Sequence, residues 1–236
     1  MNKIYTIGDI HGELDKLANL IDKIAPDKHD QLIFLGDYVD RGPDSCGVIT
    51  YLEQLSKKVY CQFILGNHDA VWYTDLFYND AINTGNFTFD KDGSMETLAS
   101  YEKAGIDPES HFNFFRNCQE YIILHDNLKR CFVHGGFNRH EFINEQHNKD
   151  IYFWDRDLLN SCMSYNVMSF DIKSKYKFRT KDNFDKIYLG HTPTKCWGKT
   201  EPMNIGNIIW LMDTGVGKYE DAELYALEIF SEQLIH

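Results

Sequence analysis

The 236 residues carry 24 Lys and Arg against 36 Asp and Glu, a formal charge of −12, with 43% hydrophobic and 14% aromatic content. That apolar fraction excludes global disorder. The negative balance excludes a protein that holds bare nucleic acid by bulk attraction, because a phosphate backbone needs clustered Lys and Arg.

In chain order, Ile4–Ile7 is the first apolar run, and it closes on Gly8-Asp9. Leu14, Leu17, Leu20, Ile21 and Ile24 follow at helical spacing, with Pro26 beyond them. Leu32–Leu35 then leads into Gly36-Asp37. Val48, Ile49, Leu52 and Leu55 form a second helical stripe, and Phe63–Leu65 leads into Gly66-Asn67. Strand, helix, strand, helix, strand predicts parallel βαβ units. Residues from about 73 to 119 are aromatic and helix-like, with Met95, Leu98, Ala99 and Tyr101 at helical spacing between Gly93 and Gly105. They read as a helical insertion within one domain spanning 1–236, either lining a site or simply packing.

The second half repeats the strand-then-turn pattern. Tyr121–Leu124 is apolar, Cys131–Val133 leads into His134-Gly135-Gly136, and Ile187–Leu189 leads into Gly190-His191. Ile208–Met212 precedes Asp213-Thr214-Gly215, read as a tight turn, and Leu224–Phe230 alternates into a last strand. From Lys173 to Lys181 the odd positions Lys173, Lys175, Lys177, Arg179 and Lys181 alternate with Ser174, Tyr176, Phe178 and Thr180. As an extended strand this would give one basic face, either steering acidic substrates or protecting a sheet edge.

No apolar run approaches the roughly 18 residues of a membrane span, and the N-terminus reads as a strand start rather than a signal core. The six cysteines (Cys46, Cys61, Cys118, Cys131, Cys162 and Cys196) form no Cys-x-x-Cys pair and read as reduced, mostly buried thiols. A cytoplasmic chain with no membrane attachment and no stable nucleic-acid partner is expected.

The polar residues collect where the strands end, which is where α/β sheets place their chemistry. Gly8-Asp9-Ile10-His11-Gly12 supplies a carboxylate and an imidazole. Gly36-Asp37-Tyr38-Val39-Asp40-Arg41-Gly42 supplies two carboxylates and a guanidinium. Gly66-Asn67-His68-Asp69 adds an amide, an imidazole and a carboxylate, and His134 and His191 add two imidazoles. Mixed carboxylate oxygens and imidazole nitrogens suit divalent first-row metals. They are too many for one ion, whereas two ions sharing a carboxylate would use them all.

These motifs, with Trp154-Asp155-Arg156 and Gly190-His191-Thr192-Pro193, resemble those of the phosphoprotein phosphatases of the calcineurin-like metallophosphoesterase superfamily, in the style of the small bacterial and bacteriophage enzymes. The likeness runs from Ile4 to about Gly215. It implies an α/β fold of two mixed sheets flanked by helices. It implies two divalent ions, manganese first and iron or zinc also compatible, with Asp9 and His11 on one, Asp37 bridging, and Asn67, His134 and His191 on the other.

The resemblance further implies that a hydroxide shared by the ions attacks phosphorus. His68 would protonate the leaving oxygen, Asp40 would orient His68, and Arg41 and Arg156 would clamp the phosphoryl oxygens. The substrate it implies is phosphoserine or phosphothreonine in a protein, or another small phosphoester. Asp69 stands where protein phosphatases more often carry Glu, and the related diadenosine tetraphosphate hydrolases often carry Asp. His134-Gly135-Gly136 points the other way, so a dinucleoside polyphosphate is the alternative. A non-catalytic phosphoprotein-binding module would have lost a ligand or the acid, and none is missing.

Overall fold

The computed structural model describes residues 2–236. Ten strands form two five-stranded sheets. They are β1 Ile4–Ile7, β2 Gln31–Phe34, β3 Tyr60–Phe63, β4 Tyr121–His125, β5 Lys129–Val133, β6 Lys186–Leu189, β7 Met203–Ile205, β8 Ile209–Leu211, β9 Ala226–Glu228 and β10 Gln233–Ile235. The sheet orders are β10-β9-β1-β2-β3 and β4-β5-β6-β8-β7. In the first sheet β1 runs parallel to β2, and β2 to β3; in the second, β5 runs parallel to β6, and β6 to β8. The other pairings are antiparallel, so both sheets are mixed, as expected.

The sheets pack face to face through Ile33, Leu35, Phe132, Tyr188, Met212 and Leu227. The Phe132 and Tyr188 rings stack with centroids 4.4 Å apart. Burying each such side chain is worth about 1.5–3 kcal/mol, so this layer fixes one sheet on the other.

Helices cover the outer faces. α1 is Leu14–Ile24, and its stripe of Leu17, Leu20, Ile21 and Ile24 is buried. Ala25, with a left-handed backbone, closes it before Pro26. α2 is Ser45–Leu55, started by the Asp44 side chain accepting the Gly47 N–H at 2.8 Å. The later helices are α3 Asn67–Phe77, α4 Ala81–Thr84, α5 Ser94–Ala104, α6 Phe112–Asn117, α7 Ile151–Trp154, α8 Asp157–Asn166 and α9 Phe170–Lys175.

Some expected boundaries move. β3 begins at Tyr60, before the apolar run at Phe63–Leu65, because an edge strand needs only partial burial. The helical segment starts at Asn67, so the Gly-Asn-His-Asp turn is itself the opening of α3. The helix expected between Gly93 and Gly105 is α5, with both glycines left-handed at its ends.

The Lys173–Lys181 strip is not a strand. Its first part belongs to α9, and the Tyr176 N–H closes that helix on Ile172 O. The rest is irregular and is held by Lys181 N–H donating to Arg139 O at 2.7 Å. Neither sheet extends an edge to it, since β4 and β7 are the edges of the second sheet. Without a strand there is neither one alternating basic face nor a sheet edge to protect, so both readings of the strip lose their basis.

The six cysteines are free, and Cys196 is exposed. Among the described residues no helix is long and apolar enough to cross a membrane.

Candidate active site

The three parallel strands of each sheet deliver polar residues from their carboxyl ends to one site. Asp9 and His11 follow β1, Asp37 to Arg41 follow β2, and Asn67 and His68 follow β3. His134 follows β5, His191 follows β6, and Asp213 follows β8. The turns are tight: His11, Asp37, Asp40, Arg41 and His191 all have positive φ. Such backbone costs of order 1–3 kcal/mol per non-glycine residue and persists where the surroundings over-determine it.

The loops are zipped to one another. The Ile10 and His11 N–H groups both donate to Asp37 O, and Gly12 N–H donates to Tyr38 O. Asp69 ties the third loop to the second, its carboxylate accepting from Asp37 N at 2.7 Å, Tyr38 N at 2.8 Å and Gly66 N at 2.9 Å. A Cβ at Gly66 would lie 2.1 Å from Asp37 Oδ1, so only glycine lets these loops approach so closely.

Asp37 is the centre. His11 Nε2 is 3.6 Å and His134 Nε2 3.4 Å from its Oδ2, and His68 N–H donates to its Oδ1 at 2.9 Å. Asn67 Oδ1 accepts from His134 Nε2 at 3.0 Å and from His191 Nδ1 at 2.8 Å. The His191 backbone N–H donates to the Asp9 carboxylate at 3.0 and 3.2 Å. Behind the ligand atoms, His11 Nδ1 donates to Val39 O and His134 Nδ1 to Leu35 O, which leaves each Nε2 facing inward.

His68 lies between Asp40 and Arg41. Its Nδ1 donates to Asp40 Oδ2 at 2.7 Å. The Arg41 guanidinium donates to His68 Nε2 at 2.8 Å and to His11 Nε2 at 2.6 Å. Arg156 shares a cavity of about 210 Å³ with Arg41, Asp37, Asn67, His68 and His191. All ten residues singled out in the sequence therefore gather at one place. Asp9, His11, Asp37, Asp40, Asn67, His68, His134 and His191 are buried.

Burial of carboxylates and imidazoles side by side sets the electrostatics. Burial pushes the Asp9 carboxyl well up, reinforced by Asp213. It pushes Asp69 up to about 7, with Asp37 adding, and Asp213 up to about 6. Asp37 is the exception: burial raises it, but His134 and His68 outweigh that and hold it well below the usual range. His134 loses basicity by burial, yet the Asp37 carboxylate overrides this and brings it to about 10. Burial, then His134, brings His191 down to about 3. Burial and Arg41 hold His11 well below its ordinary value.

The residues fit divalent ions. The His191 Nε2 is buried with no partner, which is costly unless a cation takes the lone pair. Ligand atoms of Asp37, His134 and His191 lie within 4.8 Å of one another, and so do those of His11, Asp37 and His68. Asp37 belongs to both groups, which matches a shared carboxylate.

Four contributors had no site role assigned from the sequence. Thr97 on α5 donates from Oγ1 to Asp40 Oδ1 at 2.9 Å. Asp213 makes the expected turn, accepting Gly215 N–H at 2.7 Å, and also adds a buried carboxylate beside Asp9. Phe89 packs 4.8 Å from the His68 ring, and Trp154 5.9 Å from the His191 ring. Trp154 had a motif signal; the others had no local one.

Residues 2–195 match the family model described as calcineurin-like phosphoesterase. The chain belongs to the calcineurin-like phosphoesterases. This family works through a dinuclear divalent-metal site, and the donor set above has that composition.

The phosphoesterase is 32% identical over 151 residues to the asymmetrical bis(5'-nucleosyl)-tetraphosphatase of Oceanobacillus iheyensis, covering 58% of each protein. It is 33% identical over 135 residues to the symmetrical bis(5'-nucleosyl)-tetraphosphatase of Buchnera aphidicola, covering 57% of this chain and 44% of that protein. The matches thus span about half the length of these relatives.

Among solved structures it resembles a protein provisionally named a diadenosine tetraphosphatase, with 17% identity and a TM-score of 0.62 over 99% of this chain and 92% of that one. It also resembles a protein serine/threonine phosphatase from Saccharomyces cerevisiae, with 16% identity and a TM-score of 0.56 over 96% and 73%. At such identities the likeness establishes the fold alone, and this fold hosts several substrate classes.

Proposed function

We propose that this phosphoesterase hydrolyses dinucleoside polyphosphates such as diadenosine tetraphosphate, which reverses the order of the two substrates weighed from the sequence. The observation that carries this reading is the likeness to two relatives named bis(5'-nucleosyl)-tetraphosphatases. Asp69, in place of the Glu more common in protein phosphatases, supports it.

Asp9, His11, Asp37, Asn67, His134 and His191 would hold two divalent ions; this mixed oxygen and nitrogen set accepts manganese, iron or zinc, and the family resemblance puts manganese first. When bound, the ions supply charge neutralisation and a water acidic enough to act as nucleophile near neutral pH. Arg41 and Arg156 hold the phosphoryl oxygens with the geometry of a planar guanidinium. Water, having given one proton to solvent, bonds through its oxygen to phosphorus and the bridging P–O bond breaks. With Arg41 turned from His68 Nε2 to the phosphoryl oxygens, that nitrogen carries a proton and gives it to the departing oxygen. Asp40 keeps the His68 ring in place through Nδ1.

The test is product analysis. Manganese-loaded protein incubated with diadenosine tetraphosphate is expected to yield ADP, or ATP and AMP, resolved by anion exchange. No nucleotide product, alongside turnover of a phosphothreonine peptide, would restore the protein phosphatase reading.

A further inference from the structure

A second recess, of about 430 Å³, adjoins the reaction cavity and shares Trp154 with it. Tyr73, Val71 and Thr74 of α3 line one wall, and Asp150, Phe153 and Trp154 line the other. Its volume falls within the about 300–1,000 Å³ common for small-molecule sites. None of these residues has a part in the chemistry described above.

The position of the recess follows from α3. His68 lies in the first turn of that helix, and Val71, three residues on, lies near the same face and lines the recess. The leaving group lies on the His68 side, because His68 protonates it. Whatever is attached to the departing oxygen is therefore directed along α3 into the recess. Trp154 is 42% exposed, with Phe89 edge-on to it at 6.0 Å, so its indole is available to a planar group.

We propose that this recess binds the nucleobase of the departing nucleotide, stacked on Trp154. The inference rests on the dinucleoside polyphosphate reading. A phosphate chain leads from the reacting phosphorus, and a flat, weakly polar base matches an aromatic-lined recess with a polar rim of Thr74 and Asp150.

The test compares kcat/KM for diadenosine tetraphosphate with kcat/KM for inorganic tripolyphosphate, which has the same anhydride bond and no base. Thr74→Trp and Asp150→Trp each fill the recess from an exposed position on a different wall, so neither disturbs the core. The dinucleotide-to-tripolyphosphate ratio is expected to fall by about tenfold or more in one or both variants, the scale of a lost base–aromatic stack. A ratio unchanged or raised in both overturns the subsite while leaving dinucleotide hydrolysis standing. Wild-type protein that cleaves tripolyphosphate but not the dinucleotide overturns the reading of function, and the subsite with it.

Discussion

Thr97 Oγ1 donates to one oxygen of Asp40 at 2.9 Å, while the other oxygen of that carboxylate lies 2.7 Å from His68 Nδ1. A helix 57 residues along the chain thus holds the carboxylate that holds His68, the proposed acid. A Cβ at Gly93, just before that helix, would lie 2.0 Å from Arg41 N, so the helix is pressed against the loop that carries the guanidinium. The helical segment is thereby a structural part of the site.

Thr97→Val keeps the volume and removes the donor, leaving a buried carboxylate oxygen without its partner. Stability is expected to fall by about 1–3 kcal/mol in denaturant titration. The kcat is expected to fall by about tenfold, the low end for partners that orient catalytic groups, with KM held. Thr97→Ser should recover both. Equal losses in the Ser and Val variants would show that the hydroxyl is not what matters.

His68→Asn should lower kcat by roughly 10²–10⁴ on a phosphothreonine peptide, where an alkoxide must be protonated as it leaves. On diadenosine tetraphosphate the loss should be smaller, because a nucleotide phosphate departs as a stable anion. Metal content, measured by elemental analysis, should match wild type. An equal loss on both substrates would contradict a role for His68 as the acid.

Arg41 donates to His11 Nε2, the lone pair an ion requires. Arg41→Ala should therefore bind the first manganese ion more tightly, by about tenfold or more, since a neighbouring unit charge at about 4 Å is worth about 1 kcal/mol in water and about 4 kcal/mol near a protein surface. The same variant should raise KM, because one phosphoryl clamp is gone. Manganese titration and steady-state kinetics read the two opposed effects; unchanged metal affinity would remove the competition.

His134 sits at about 10, above its ordinary value, so at pH 7 it is protonated in the metal-free protein. Its Nε2 must lose that proton to ligate. His191, brought down to about 3, is already neutral and releases nothing. Metal loading at pH 7 should then release at least one proton, that of His134, with the raised Asp9 carboxyl adding to it, and affinity should rise with pH until about pH 10. Calorimetry in buffers of different ionisation enthalpy reads the proton count. A heat independent of buffer would contradict the assignment.

The strand-end turns were legible because each packs its carboxylate, imidazole and glycines into a few consecutive residues. The α/β class and the two mixed sheets followed from the order of those turns. Thr97 was not legible: it is an ordinary mid-helix residue whose partner is distant in sequence. Asp213 looks like any Asp-Thr-Gly turn, and only the pairing of β8 with β6 places it beside Asp9. The lysine alternation at Lys173–Lys181 misled because a period of two marks a strand only where a sheet edge is present to pair with it.

The central claim is a two-ion centre bridged by Asp37. It is tested most directly by anomalous scattering from crystals of the manganese-loaded protein. Two peaks about 3.5–4 Å apart, with the Asp37 carboxylate between them, His11 on one and His134 and His191 on the other, are the predicted result. A single peak, or two peaks that Asp37 does not bridge, would contradict it.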